Sequence, residues 1–265
     1  MPLSLHLPML IPFRFRLPVA LLAPALLAAC TQTPIAESNA GLAAQRRLGA
    51  APDTAGYQRK APQDPNGIGK YYMGRQIAHV MGHEAAPWLE RSDRQQQEGT
   101  DVLLRNLRLK PTDVVADLGA GTGYFSFRIS PLVPQGKVLA VDIQPEMLDK
   151  VRAASAERSI TNVEPVLGTV RNPNLPAASL DLVLIVDAYH EFDHPREMMR
   201  AVRNSLKPGG RVALVEYRAE DPELHIKRIH RMSEEQARRE LEAVGLKFVE
   251  NNKALPQQHL LIFQR

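Results

Sequence analysis

The stretch Val114-Val115-Ala116-Asp117-Leu118-Gly119-Ala120-Gly121-Thr122-Gly123 constrains the fold more than any other part of the chain. Its apolar run suits a buried strand and ends in an acid, followed by three glycines at alternate positions. Glycines so spaced let the backbone pass close to a ligand and take angles that a side chain forbids. Tyr124-Phe125-Ser126-Phe127-Arg128-Ile129 then has the composition of a helix start. Further on, Val138-Leu139-Ala140-Val141-Asp142 is a second apolar run closed by a carboxylate. Strand, glycine turn, helix and acid-terminated strand make half of a doubly wound α/β sheet, in which the second acid takes the hydroxyls of a ribose.

A dinucleotide fingerprint would place its third glycine at position 124, which is Tyr124. Asp117 is also foreign to that pattern, because a pyrophosphate there needs donors and no negative charge. A nicotinamide oxidoreductase is disfavoured on both counts, whereas a cationic ligand suits Asp117. The segment Asp117 to Gly123 resembles the first motif of class I S-adenosylmethionine-dependent methyltransferases, and Asp142 falls where that family's ribose-binding acid lies. Asp181-Leu182-Val183-Leu184-Ile185-Val186-Asp187 resembles the family's fourth strand, and Leu206-Lys207-Pro208-Gly209-Gly210-Arg211-Val212 the turn before its fifth.

The resemblance implies a seven-stranded doubly wound Rossmann-like methyltransferase sheet over residues 111–265, with helices on both faces and the final strand antiparallel. It implies S-adenosylmethionine as cofactor, with Asp117 at the donor's amino group, Gly119, Gly121 and Gly123 in close backbone approach, and Asp142 at the ribose. Met147 would lie against the adenine or pack in the core. Thr169 and Val170, at the exit of the third strand, would border the adenine, with Thr169 where many relatives carry Asp. The implied function is methyl transfer to a small-molecule, lipid, quinone or protein acceptor. The alternative is an envelope lipoprotein that uses the same fold as a non-catalytic binding module.

Ligands of open α/β sheets bind outside the carboxyl ends of the strands, so the loop Asp187-Ala188-Tyr189-His190-Glu191-Phe192 is expected to face the reacting methyl group. His190 is the candidate general base because imidazole titrates near neutrality. Tyr189, Asp187 and Glu191 are candidates for orienting an acceptor. The plainer reading is that Asp187 and His190 pair with neighbouring backbone and do no chemistry.

The front of the chain reads differently. Arg14 and Arg16 precede the apolar run Leu17 to Ala29, which is short for a bilayer span, and Leu27-Ala28-Ala29-Cys30 resembles a bacterial lipobox. Residues 1–29 are therefore expected to be a signal peptide and Cys30, the only cysteine, a lipidation site. The lipobox resemblance, with Thr31 at the next position, implies the outer membrane on its periplasmic face; the alternative, without a signal peptide, is a cytoplasmic domain. Residues 30–66 carry Pro34, Pro52, Pro62 and Pro65 with little periodicity and read as a tether. The formal net charge of +4 falls to +2 without the leader, a balance that demands no nucleic-acid partner.

Residues 67–110 are expected to form a helical extension. Met73, Ile77, Val80 and Met81 have helical spacing, either as a lid whose Tyr72, Arg75 and His79 touch substrate or as a helix covering the sheet edge. His79 and His83 are four apart but lack a clear third ligand, so no metal site is expected there. Val102, Leu103, Leu104 and Leu107 form an apolar stripe in a helix from Ser92 that Pro111 ends. Ser233 and Gln236 make a capping box for a late helix that Gly245 closes.

Overall fold

The computed structural model describes residues 56–265. The expected signal peptide, Cys30 and most of the tether lie outside the described residues.

The central sheet is built from β4 (Val114–Leu118), β5 (Lys137–Asp142), β6 (Val163–Leu167), β7 (Leu180–Val186), β8 (Leu206–Arg218), β10 (Lys247–Asn252) and β11 (Gln258–Gln264). Their spatial order is β10-β11-β8-β7-β4-β5-β6, with the two-residue β9 (Arg231–Met232) added beside β8. Pairings among β4 to β8 are parallel, whereas β11 runs antiparallel to β8 and to β10. The expected seven strands and their antiparallel finish are present.

Alternate residues of each inner strand face opposite sides, and both sides are apolar, as a parallel sheet covered by helices requires. One face sends Ala116, Leu139 and Val183 toward Met199 and Val202 of α6 (Pro195–Ser205) and Leu241 of α7 (Glu234–Glu242). The other sends Val115, Val138 and Leu184 toward Leu103 of α3 (Thr100–Asn106) and Phe125 of α4 (Tyr124–Ile129). Helix α5 (Pro145–Glu157) opens on proline as expected, and Ser233 Oγ accepts from the Gln236 N–H as the capping residue of α7.

Residues 57–78 correct the expected tether and lid helix. They form an antiparallel sheet of β1 (Tyr57–Arg59), β2 (Gly67–Tyr72) and β3 (Arg75–Ala78). Tyr72 pairs with Arg75 across Met73 and Gly74, whose φ values are 47° and 92°. Two consecutive residues of positive φ make the tight turn that suits the twist of a hairpin. That local turn overrides the helical spacing of Met73, Ile77 and Val80. The hairpin is pinned to the core by Lys70 Nζ, which donates to the Asp193 carbonyl at 2.6 Å, and by an Arg75–Glu240 ion pair at 2.8 Å.

The helix expected from Ser92 is interrupted. Two short helices, α1 (Ala86–Leu89) and α2 (Arg94–Glu98), precede α3, and Gly99 at φ 65° breaks the continuity of α2 and α3.

Candidate active site

Strand order reverses beside β4, since β5 lies on one side of it and β7 on the other. The carboxyl ends of these three strands open a crevice there. A cavity of about 460 Å³ occupies it, and Gly119, Gly121, Asp142, Met147, Asp187 and His190 are among its walls.

The loop after β4 is folded back by its own backbone. The N–H groups of Gly119 and Ala120 both donate to the Val141 carbonyl, at 2.9 and 3.0 Å. The Gly121 N–H donates to Asp142 Oδ2 at 2.9 Å, and the Gln144 N–H to Asp142 Oδ1 at 2.9 Å. Asp142 is thereby fixed at the end of β5 with acceptor capacity left over, because an ionised carboxylate offers about four lone-pair directions. Burial raises its pKa, against the backbone donors that favour its charge.

Gly119 has φ 82°, and a Cβ on it would come 2.7 Å from Ala188 Cβ. Both observations exclude any other residue without movement of the loop. Gly119→Ala is expected to cost about 1–3 kcal/mol of stability, read as a lowered denaturation midpoint, and to weaken any ligand held by this loop.

Several expected contacts are placed elsewhere. Asp117 is 3% exposed and does not line the cavity; it accepts from Ser126 Oγ at 2.6 Å, and burial pushes its pKa up to about 6. It therefore supports the loop from behind. Gly123, at φ 85°, precedes α4 and packs on Phe127 rather than facing the cavity. The Thr169 hydroxyl is taken by its own turn, accepting from the Asn172 N–H at 3.0 Å, while Gly168 and Val170 line the cavity.

The substrate residues expected from the N-terminal segment are displaced by the hairpin. Tyr72 is buried with its ring 4.9 Å from Tyr57, Arg75 is spent on Glu240, and His79 is exposed away from the cavity. The covering side chains come from the next stretch, Val80, Met81, Trp88 and Leu89. Met81 ties this cover to both ends of the site. Its carbonyl accepts from Gln144 Nε2 at 3.0 Å and its N–H donates to Glu191 Oε2 at 3.2 Å.

At the other end, Tyr189–Glu191 is a single 3-10 turn. Tyr189 points away from the cavity and donates to Glu240 Oε2 at 2.8 Å, so it is not at the acceptor position. His190 lines the cavity and is 3% exposed. Its Nδ1 lies 2.7 Å from Glu216 Oε2 and its Nε2 lies 3.0 Å from His230 Nδ1. Burial opposes charge on His190, but Glu216 outweighs it and raises the pKa, whereas burial and the charge on His190 lower that of His230 to about 4. Both nitrogens of His190 are engaged, so it is not free to take a proton directly from an acceptor.

Asp187 lines the cavity at φ 48°. Its Oδ2 accepts from Gln258 Nε2 at 2.7 Å, and its Oδ1 is buried without a partner. Burial, Glu98 and Glu216 together hold its pKa well above the usual carboxylate range. The sequence reading missed Glu216, His230 and Glu98. Glu216 had a signal, an acid closing the apolar run of β8, and His230 lies in the basic segment Ala219 to Arg231, which the sequence offers as a rim for an anionic substrate or as a solvated face; only folding brings His230 and Glu98 to the cavity.

Residues 115–210 match the family described as Methyltransferase domain. An uncharacterized methyltransferase-like protein of Schizosaccharomyces pombe is 35% identical over 116 residues, 44% of this chain and 43% of that protein. The chain's matches span about half or less of such relatives' own length, as with an uncharacterized methyltransferase of Bacillus subtilis of which 51% is covered. A crystal structure of a SAM-dependent methyltransferase from Aquifex aeolicus superposes with a TM-score of 0.66 at 20% identity, over 70% of this chain and 99% of that one. With its sheet order, glycine loop and cavity, the chain has the Rossmann-like methyltransferase fold, and the part matched by the methyltransferase-domain family lies at its centre.

Proposed function

We propose that this protein is an S-adenosylmethionine-dependent methyltransferase. The observation that carries the reading is Asp142, held by two backbone N–H groups where the glycine loop meets a cavity at the strand-order reversal. The residues present fit the donor: Asp142 is available to ribose hydroxyls, Met147 and Val170 offer apolar contact to an adenine, and the unpartnered Asp187 Oδ1 is available to an ammonium group. When bound, the donor supplies an electrophilic methyl group on a sulfonium.

The chain's own part is alignment and exclusion of water, the main requirements of such a displacement. Gly119 and Gly121 bring backbone close, Asp142 orients from one end, and the segment from Val80 to Leu89 covers the cavity. Asp187 contributes charge complementary to a cation. Its raised pKa leaves it neutral at acidities where an ordinary Asp is ionised, so donor affinity falls as pH falls through that raised value. Asp187→Asn is expected to weaken donor binding about tenfold or more, as loss of a charged hydrogen-bond partner does, and to flatten the pH profile. Calorimetric titration of S-adenosylmethionine from acid to neutral pH checks both. Transfer of labelled methyl to cell-envelope extract tests the activity; donor binding without any transfer would favour the non-catalytic binding module.

The acceptor is proposed to be a small molecule, lipid or quinone, or a protein, reached by a domain tethered to the outer membrane through acylated Cys30. Palmitate labelling that Cys30→Ala abolishes would support that placement, and labelling that survives the substitution would refute it.

A further inference from the structure

We propose that His190, His230 and Glu191 form a binding site for a divalent transition-metal ion at the acceptor end of the cavity. One ligand atom from each of the three lies within 4.8 Å of the others. His190 Nε2 and His230 Nδ1 are 3.0 Å apart, and Glu191 Oε1 is 3.8 Å from His190 Nε2. Metal–nitrogen bonds of about 2.0–2.1 Å set neighbouring ligands roughly 3–4 Å apart, so these spacings suit one shared ion.

The supporting contacts are those that a metal site needs. Histidine ligands are oriented by a second group on their other nitrogen. Glu216, fully buried, holds His190 Nδ1 at 2.7 Å and leaves Nε2 turned toward His230. Glu191 is steadied through its other oxygen by the Met81 N–H at 3.2 Å. Two carboxylates, Glu191 and Glu216, balance the two charges of the ion. Without an ion, two imidazole nitrogens face each other and share at most a proton.

Two imidazoles and a carboxylate suit zinc, iron(II) or manganese better than calcium or magnesium, which take oxygen ligands. Three protein ligands leave coordination positions for a molecule in the cavity that all three residues line. Within the methyl-transfer reading, on which this clause alone rests, the acceptor class is then a molecule with an oxygen donor beside the methylated atom or at it.

The test is titration of zinc chloride, and separately of magnesium chloride, into the full-length protein after chelator treatment. Cobalt(II) absorption serves as a second readout that reports the ligand set rather than adventitious surface binding. One equivalent of zinc at micromolar affinity or tighter is expected, with no comparable uptake of magnesium. His230→Ala and Glu191→Gln should each weaken it at least tenfold, and Glu216→Gln about 10- to 100-fold through loss of the orienting carboxylate. Circular dichroism identifies variants that keep their fold. Zinc uptake or a cobalt spectrum unchanged in folded His230→Ala and Glu191→Gln, or no stoichiometric uptake by the parent, would overturn the proposal. S-adenosylmethionine titrated into the same samples separates the two readings, because donor binding without zinc binding sinks only the metal site and the reverse sinks only the donor site.

Discussion

Asp142→Ala is expected to reduce S-adenosylmethionine affinity by at least 100-fold while the protein stays folded. The substitution removes the carboxylate proposed to accept from both ribose hydroxyls, and hydrogen bonds to a charged group are worth about 1.5–3 kcal/mol each. It also releases the Gly121 and Gln144 N–H groups that Asp142 now holds at 2.9 Å, loosening the glycine loop. Asp142→Asn, which keeps an acceptor oxygen, should fall between the two. Calorimetric titration, with circular dichroism to verify folding, decides the matter: affinity within threefold of the parent in a folded Asp142→Ala protein would remove the donor site from this position.

Arg75→Ala should act on stability rather than on ligand binding. Arg75 Nε and Nη2 donate to both oxygens of Glu240, at 2.8 and 2.9 Å, and Nη1 donates to the His190 carbonyl at 3.1 Å. Glu240 is 1% exposed and also accepts from Tyr189 and Gln236. Removing the arginine leaves a buried carboxylate without its counter-charge, a change that costs about 3–5 kcal/mol. For a domain of this size the midpoint of thermal unfolding should fall by about 10 °C. Donor affinity, measured below the transition, should be unchanged. An unchanged midpoint with a raised KM would instead restore Arg75 to the substrate-contacting part that its place in the sequence suggests.

The parts of the site legible in the sequence share a physical basis. Gly119 and Gly121 answer to backbone conformation and Asp142 to the end of an apolar run, and both are properties of a few consecutive residues. The same is true of the buried strands and of the capped helix α7. Errors arose where local patterns competed. Met73, Ile77 and Val80 recur at helical spacing, but the Met73-Gly74 turn and the ion pair to Glu240 make Tyr72 to Ala78 part of a hairpin. Motif position puts Asp117 and Thr169 at the ligand, yet Asp117 Oδ2 accepts from Ser126 and the Thr169 hydroxyl accepts from the Asn172 N–H.

The sheet, the glycine loop and the acid at the end of β5 are legible in the chain's order of residues, because strand burial, positive φ and a terminal carboxylate are written in adjacent positions. Their surroundings are set by long-range contacts. Glu216 on β8, His230 in the 3-10 turn before β9 and His190 after β7 are far apart along the chain, yet His190 lies 2.7 Å from Glu216 and 3.0 Å from His230. Such a cluster is set by the parallel register of β7 and β8 and by the path of the loop between β8 and β9. Long-range packing, which no short window of residues encodes, put those three side chains together.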